Sequence, residues 1–149
     1  MRNAKFGRRT PRLTTRLEDL AAALRAGARG LYAAEAAVEL LIGHGRWLER
    51  ADFVEVFVET DVGLSDGTPM AWVDWDAATA ALQTGGLPCS GSEAGLLRVA
   101  ASLAVGGPVD LRDMVFGLDE RNLGLVATAV LHAGGRRDAA VCLGQPVRR

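Results

Sequence analysis

Residues 53–75 read FVEVFVETDVGLSDGTPMAWVDW, and the helical spacing that precedes this segment changes to strand patterns at its start. Residues 53–60 alternate with period two, so the valines share one face of a strand and the phenylalanines and glutamates share the other. Asp66-Gly67 is a strong turn signal, and residues 70–75, MAWVDW, return as a second strand. The sequence therefore predicts one central antiparallel β-hairpin over about residues 53–75.

Apolar residues at helical spacing flank the hairpin on both sides. On the N-terminal side they predict one helix that ends near Ala28 and a second that ends at Gly43-His44-Gly45. On the C-terminal side four helical segments are predicted, at 77–83 behind the cap Asp76, at 93–105, at 111–117 behind Asp110, and at 120–133 behind Asp119. Because a two-stranded hairpin is marginal alone, we expect its valine face to pack on these helices. The predicted fold class is mostly helical α+β.

Length and charge distribution predict a single folded domain between two basic ends. The chain has 149 residues, of which 49% are hydrophobic and 23% are charged, an ordinary balance for one globular domain. Residues 1–16 carry six basic side chains and no acid, and residues 136–149 carry four arginines against Asp138. Since the total charge is −1, the body between them is strongly acidic. We expect a flexible basic arm over 1–12, one α+β domain over 13–135 and a basic tail after it.

Composition argues against several functional classes. No apolar run reaches the roughly 18 residues that a membrane-spanning helix needs. The basic N-terminus is not followed by an apolar stretch and a cleavage site, so we expect no secretory signal and a cytoplasmic location. Cys89 and Cys142 form neither a metal-binding motif nor a disulfide framework. We therefore expect two free thiols, no bound metal and no cofactor.

Three segments carry a resemblance to known sequences. They are DWDAATAALQTGGLPCSGSEAGLLRVAASLA at 74–104, VDLRDMVFGLDERN at 109–122 and LHAGG at 131–135. Over roughly residues 20–135 the chain resembles a group of small uncharacterised actinobacterial proteins. The resemblance implies an actinobacterial protein with a single domain, and it brings no activity, cofactor or substrate.

The segment LPCSGSE, residues 87–93, has two interpretations. Ser90 and Glu93 have the spacing of a capping box, which satisfies two free amides at a helix start. The positive end of such a helix favours a thiolate at Cys89, whereas the Glu93 carboxylate repels an anion. Nucleophilic catalysis also requires a base, and the candidate His132 is remote in sequence. We favour a structural helix start, with a thiol or anion site at Cys89 as an alternative.

The hairpin carries the candidate protein-binding surface. Its mixed face interleaves acids with large apolar side chains, which is typical of a surface that binds a basic, hydrophobic segment, including one added as a strand along the hairpin edge. The candidate residues are Phe53, Glu55, Phe57, Glu59, Met70, Trp72 and Asp74. The alternative is that the terminal helices cover both faces. Clustered carboxylates also suit Mg²⁺, but no lysine or histidine lies between residues 45 and 131 to complete a catalytic site.

The basic arm supports a different function. Arg8, Arg9 and Arg12 suit sequence-independent contacts with the phosphates of nucleic acid. The predicted helix 120–133 is too apolar to read DNA, and a duplex would repel the acidic body. We therefore hypothesise a non-catalytic regulatory module that binds another protein, or a second copy of itself through the basic arm. Nucleic-acid binding is the alternative.

Overall fold

A computed structural model describes residues 13–136 and residue 138 of the chain. The basic arm and most of the C-terminal tail lie outside the described residues, and with them Cys142, Arg8, Arg9 and Arg12. The functions that depend on the arm, self-association and nucleic-acid binding, therefore stay predictions.

The described residues form eight helices and one two-stranded sheet, which confirms the predicted α+β class with mostly helical content. The helices are α1 (Leu13–Ala28), α2 (Tyr32–His44), α3 (Arg46–Glu49), α4 (Ala51–Phe57), α5 (Trp75–Gln83), α6 (Gly91–Val105), α7 (Leu111–Gly117) and α8 (Glu120–Ala133). The strands are β1 (Val58–Val62) and β2 (Pro69–Val73). None of the helices in the described residues is long and apolar enough to cross a membrane.

Helix α2 lies at the centre of the helical layer. It packs most extensively against α6 and α8 and also contacts α1. Ala36 and Ala37 are fully buried, and these small side chains allow the neighbouring helices to approach closely. Leu40 on α2 and Leu96 on α6 belong to the same apolar core. As predicted, α1 ends at Ala28 and α2 ends within Gly43-His44-Gly45.

Residues 53–57, which the alternating pattern assigns to a strand, lie instead in helix α4, and the hairpin proper begins at Val58. Phe53 and Phe57 are four residues apart, so both lie on one face of the helix, and both are buried. Val56, expected on the packed face of a strand, is 68% exposed. The strand assignment of this segment is wrong because FVEVF fits both periods, and burial of the two aromatic rings favours the helix.

The hairpin is held to the helices through β2. Residue Val58 pairs with Val73, and Thr60 pairs with Ala71. The close approach of β2 to α1 depends on Gly27, where a Cβ atom would lie 2.2 Å from the Ala71 carbonyl oxygen. The Trp72 indole N–H donates to the Gly27 carbonyl oxygen at 3.1 Å. Helix α1 therefore covers the β2 edge of the hairpin and leaves the β1 edge uncovered by α1.

The C-terminal helices begin at polar caps. Asp74 accepts from the Ala77 N–H at 3.0 Å and caps α5, so the prediction of Asp76 as the cap is two residues too late. The capping box of Ser90 and Glu93 is present at the start of α6. Helices α7 and α8 have the predicted bounds behind Asp110 and Asp119. In each case the cap oxygen accepts a backbone N–H at the helix start, which fixes where the helix begins.

Candidate functional site

The candidate protein-binding residues divide into a buried group and an exposed group. Phe53 is 0% exposed, and the centroid of its ring lies 5.3 Å from that of Trp47 and 5.7 Å from that of Phe57. The expectation that the phenylalanines form an exposed face is therefore wrong, because helix α4 turns both toward the core. The remaining candidates stay at the surface of the hairpin, with Met70 half-buried and four residues exposed. The exposed four are Glu55, Glu59, Trp72 and Asp74.

The hydrogen bonds of the hairpin show which backbone groups face outward. The Asp74 N–H donates to the Phe57 carbonyl at 2.7 Å, and the Gly63 N–H donates to the Thr68 carbonyl at 2.8 Å. In an antiparallel pair, alternate residues bond to the partner strand and the residues between them face the other way. Three residues of β1 therefore direct their N–H and C=O groups away from β2. They are Val58, Thr60 and Val62.

Two of the three outward N–H groups are already used within the chain. The Val58 N–H donates to the Val54 carbonyl at the end of α4. The Val62 N–H donates to Oδ1 of Asp61 at 2.7 Å. The Thr60 N–H makes no hydrogen bond to any residue that the structure describes, and Thr60 is exposed. The centre of the outer edge of β1 is therefore open for pairing.

The surroundings of this edge are acidic. Glu59 and Asp61 lie on the same face of the hairpin as Trp72, which is 39% exposed. No basic residue occurs anywhere between residues 51 and 97. At the hairpin turn, Asp66 accepts the Thr68 N–H at 2.9 Å, and this hydrogen bond lowers the pKa of Asp66. The hairpin face beside this edge therefore presents negative charge, from Glu59 and Asp61.

Two residues hold the Cys89 segment in place: Trp47, which lies in α3, and Arg50, which is the C-cap of α3. The Trp47 indole N–H donates to the Glu93 carbonyl at 3.1 Å, and Nη1 of Arg50 donates to the Pro88 carbonyl at 2.7 Å. Cys89 is a free, exposed thiol. Partial desolvation, followed by the Glu93 carboxylate, raises the pKa of this thiol. The environment of Cys89 therefore disfavours the thiolate that nucleophilic chemistry requires.

A polar junction joins α2, α6 and α8. Nδ2 of Asn122 donates to Oγ of Ser92 at 2.8 Å and to Oδ2 of Asp119 at 3.1 Å. His44 is only 7% exposed, and its Nδ1 has no hydrogen-bond partner among the described residues. Burial lowers the pKa of His44, against the opposing effect of Glu93. His44 is therefore a neutral packing residue at the end of α2, rather than part of an exposed loop.

The predicted catalytic candidate His132 lies in a cleft formed by α1, α2 and α8. The α1–α2–α8 cleft has a volume of about 610 Å³, and its lining residues are Arg25, Arg29, Gly30, Tyr32, Glu35, Val38, Glu39 and His132. Nε2 of His132 is 3.4 Å from Oε2 of Glu35. The residues that line the cleft do not include Cys89, so a carboxylate, and not the thiol, is the partner that the structure gives to His132.

Most residues of this cleft were missed by sequence reasoning. Glu35 and His132 are 97 positions apart in the chain, and Arg25 and Glu39 are 14 apart. No local motif joins them, because only the packing of α1 and α8 on α2 brings them together. The sole sequence signal was a histidine in the last turn of a helix, where it also complements the helix dipole.

No group of three or more histidine, cysteine, aspartate or glutamate side chains in the described part of the chain is arranged to hold a metal ion. Comparisons of the chain with protein-family models, with curated proteins and with solved structures find no match. The resemblance to small actinobacterial proteins stays a prediction.

Proposed function

We propose that the protein is a non-catalytic interaction module that binds an extended basic segment of another protein along the outer edge of β1. The observation that carries this proposal is the open centre of that edge, where Thr60 directs an unpaired N–H group toward solvent. An exposed strand edge is a template for an added strand, whose main-chain hydrogen bonds supply affinity. Helix α1 covers the β2 side, so β1 offers the accessible edge.

The charge around the edge selects the kind of segment. An added strand would place alternate side chains on the face that holds Glu59, Asp61 and Trp72. Arginine or lysine at those positions would pair with the carboxylates of Glu59 and Asp61. The other alternate side chains would lie beside Val62, which is exposed. A segment that alternates basic and apolar residues fits both faces.

A proline substitution at the edge tests this proposal. Thr60→Pro removes the outward N–H but none of the hydrogen bonds to β2, so the hairpin should survive while strand addition is blocked. Thr60→Val is the matched control because it keeps the N–H group. The probes are two fluorescent peptides, one of alternating arginine and valine and one with the sequence of residues 1–12, and the readout is fluorescence anisotropy.

We expect the unchanged protein and the Thr60→Val variant to bind the alternating peptide, with an affinity that falls as salt is added. The Thr60→Pro variant should bind it with a Kd at least about tenfold higher. Equal affinity of the proline and valine variants would refute the edge as the binding site. Binding of the peptide 1–12 would favour self-association, whereas its failure would restrict the proposal to other partners.

A further inference from the structure

We propose that the Asp61 carboxylate is a gate on the outer edge of β1, and that a cationic side chain of the partner opens it. Such a gate rests on the proposed function, because it determines which segments the same edge accepts. When the gate is closed, Oδ1 of Asp61 accepts the Val62 N–H at 2.7 Å, as the structure shows. When it opens, the Val62 N–H is released to a carbonyl group of the added strand.

The two outward N–H groups that are already used differ in what holds them. The Val58 N–H donates to the main-chain carbonyl of Val54, in a hydrogen bond that closes the last turn of α4. Releasing it would unwind a turn whose Phe57 side chain is buried. The Val62 N–H is instead held by an exposed side chain, which can rotate away while the backbone stays in place. Pairing can therefore extend from Thr60 toward Val62 but not toward Val58.

The Val62 N–H decides how much an added strand gains. While the gate is closed, Thr60 supplies the one free outward N–H that β1 has among the described residues. Ordering an extended segment costs more conformational entropy than a single such bond returns. Release of the Val62 N–H adds a second pairing position two residues along the strand. The exposed side chains of Val62 and Leu64 then lie beside the segment and offer apolar contact.

Charge determines whether the carboxylate leaves the Val62 N–H. A neutral segment offers only a carbonyl in its place, and a hydrogen bond to a charged acceptor is the stronger one. The segment residue opposite Asp61 points its side chain to the same face of the sheet, so an arginine or lysine there can form an ion pair with the carboxylate in exchange. Asp61 takes part in none of the salt bridges among the described residues, so this cation has to come from the partner.

The gate couples recognition of charge to main-chain pairing. An exposed strand edge otherwise accepts extended segments with little selection, and charged side chains at an edge are one means of preventing this. At β1 the carboxylate that prevents unselective pairing is also the contact for the cation. The preferred ligand is therefore an extended segment with arginine or lysine opposite Asp61 and apolar residues at the adjacent positions.

Two variants and two peptides test the gate. Asp61→Ala removes the carboxylate that holds the Val62 N–H. Glu59→Ala is the matched control, because it removes one carboxylate from an exposed position on the same face and leaves that hydrogen bond in place. The peptides are the alternating arginine–valine peptide and its citrulline–valine counterpart, in which a neutral urea group replaces each guanidinium. Fluorescence anisotropy measures the four values of Kd and those of the unchanged protein.

We expect the unchanged protein to bind the arginine peptide at least about tenfold more tightly than the citrulline peptide. Asp61→Ala should bind the citrulline peptide at least about fivefold more tightly than the unchanged protein does, because its Val62 N–H is free. Glu59→Ala should weaken binding of the arginine peptide and leave the Kd for the citrulline peptide within about twofold. The gate is overturned if both variants change the affinity for the citrulline peptide alike, since Asp61 would then act only through its charge.

Amide hydrogen exchange measures the gate without a peptide. In the free protein, Asp61→Ala should raise the exchange rate of the Val62 amide by about tenfold or more, relative to the intrinsic rate of its sequence, and leave Thr60 unchanged. An unchanged Val62 rate overturns the gate even where both peptides bind. Because Asp61 and Glu59 are exposed, we expect unchanged circular dichroism and urea midpoints for both variants.

Failure of the gate and failure of the edge give different results. Equal affinity of Thr60→Pro and Thr60→Val for the arginine peptide refutes the edge, and the gate with it. A loss of affinity in Thr60→Pro, together with identical behaviour of Asp61→Ala and Glu59→Ala toward the citrulline peptide, refutes the gate alone.

Discussion

Replacing Gly27 by alanine should separate the hairpin from helix α1. An ideal Cβ at this position lies 2.2 Å from the Ala71 carbonyl oxygen, and ordinary contact begins at 3.4 Å, so a gap of more than an ångström must open. The atom in the way belongs to the backbone and cannot rotate aside. Overpacking of this kind costs about 1–3 kcal/mol. Weakening of the hydrogen bond from Trp72 to the Gly27 carbonyl adds about 1 kcal/mol.

The helix propensity of alanine offsets at most about 1 kcal/mol of this loss. The net expectation for Gly27→Ala is a decrease of about 2 kcal/mol in the free energy of unfolding, or about 4–8 °C in Tm for a chain of this size. Urea unfolding followed by tryptophan fluorescence and circular dichroism measures it. The control is Gly95→Ala in α6, where the new Cβ meets Leu118 at an ordinary 3.6 Å. We expect this control to gain about 0.5–1 kcal/mol. Similar shifts in both variants would refute the close approach of α1 and β2.

Two further predictions concern α4 and the polar junction. Phe53→Ala should lower the free energy of unfolding by about 3–5 kcal/mol. Val56→Ala, at an exposed site, should change it by less than about 0.5 kcal/mol. A larger loss for Val56→Ala than for Phe53→Ala would support a strand over residues 53–57 instead of helix α4. Because the pKa of His44 is lowered in the folded protein, its imidazole is protonated at a higher pH in the unfolded chain than in the folded one. Falling pH therefore favours the unfolded chain. Stability should therefore decline as the pH falls through about 6.5, the ordinary pKa of histidine in an unfolded chain, and His44→Gln should show a smaller decline. Parallel pH profiles of the two proteins, measured by urea unfolding, would contradict the assignment of the effect to His44.

The elements that sequence reasoning placed correctly are those with a local chemical signal at their ends. Asp110 and Asp119 cap α7 and α8, and a cap acts within one turn, so it can be recognised without knowledge of the fold. Helix α4 lacks such a signal, since its N-cap Arg50 makes no side-chain cap bond. The choice between helix and strand there depends on where Phe53 finds a partner, and Trp47 supplies that partner only in the folded chain.

The candidate sites divide in the same way. The acidity of the hairpin is a property of composition, so Glu59 and Trp72 could be proposed as surface residues from the sequence. The α1–α2–α8 cleft depends on a contact between Glu35 and His132, which are 97 residues apart, and local spacing contains no information about it. The open position at Thr60 could be predicted only in part. The sequence predicted a strand there, but only the pairing register shows which N–H groups of that strand face away from β2.

Amide hydrogen exchange at Thr60 tests the central claim most directly. The Thr60 N–H faces away from β2, whereas the N–H groups of residues 59 and 61 face it. In the free protein we expect Thr60 to exchange much faster than either neighbour, because only the neighbours are hydrogen-bonded to β2. Saturation with the alternating arginine–valine peptide should slow Thr60 strongly and leave the neighbours protected, as strand addition requires. A Thr60 amide that exchanges equally fast with and without saturating peptide would contradict the proposal that β1 binds its partner by its edge.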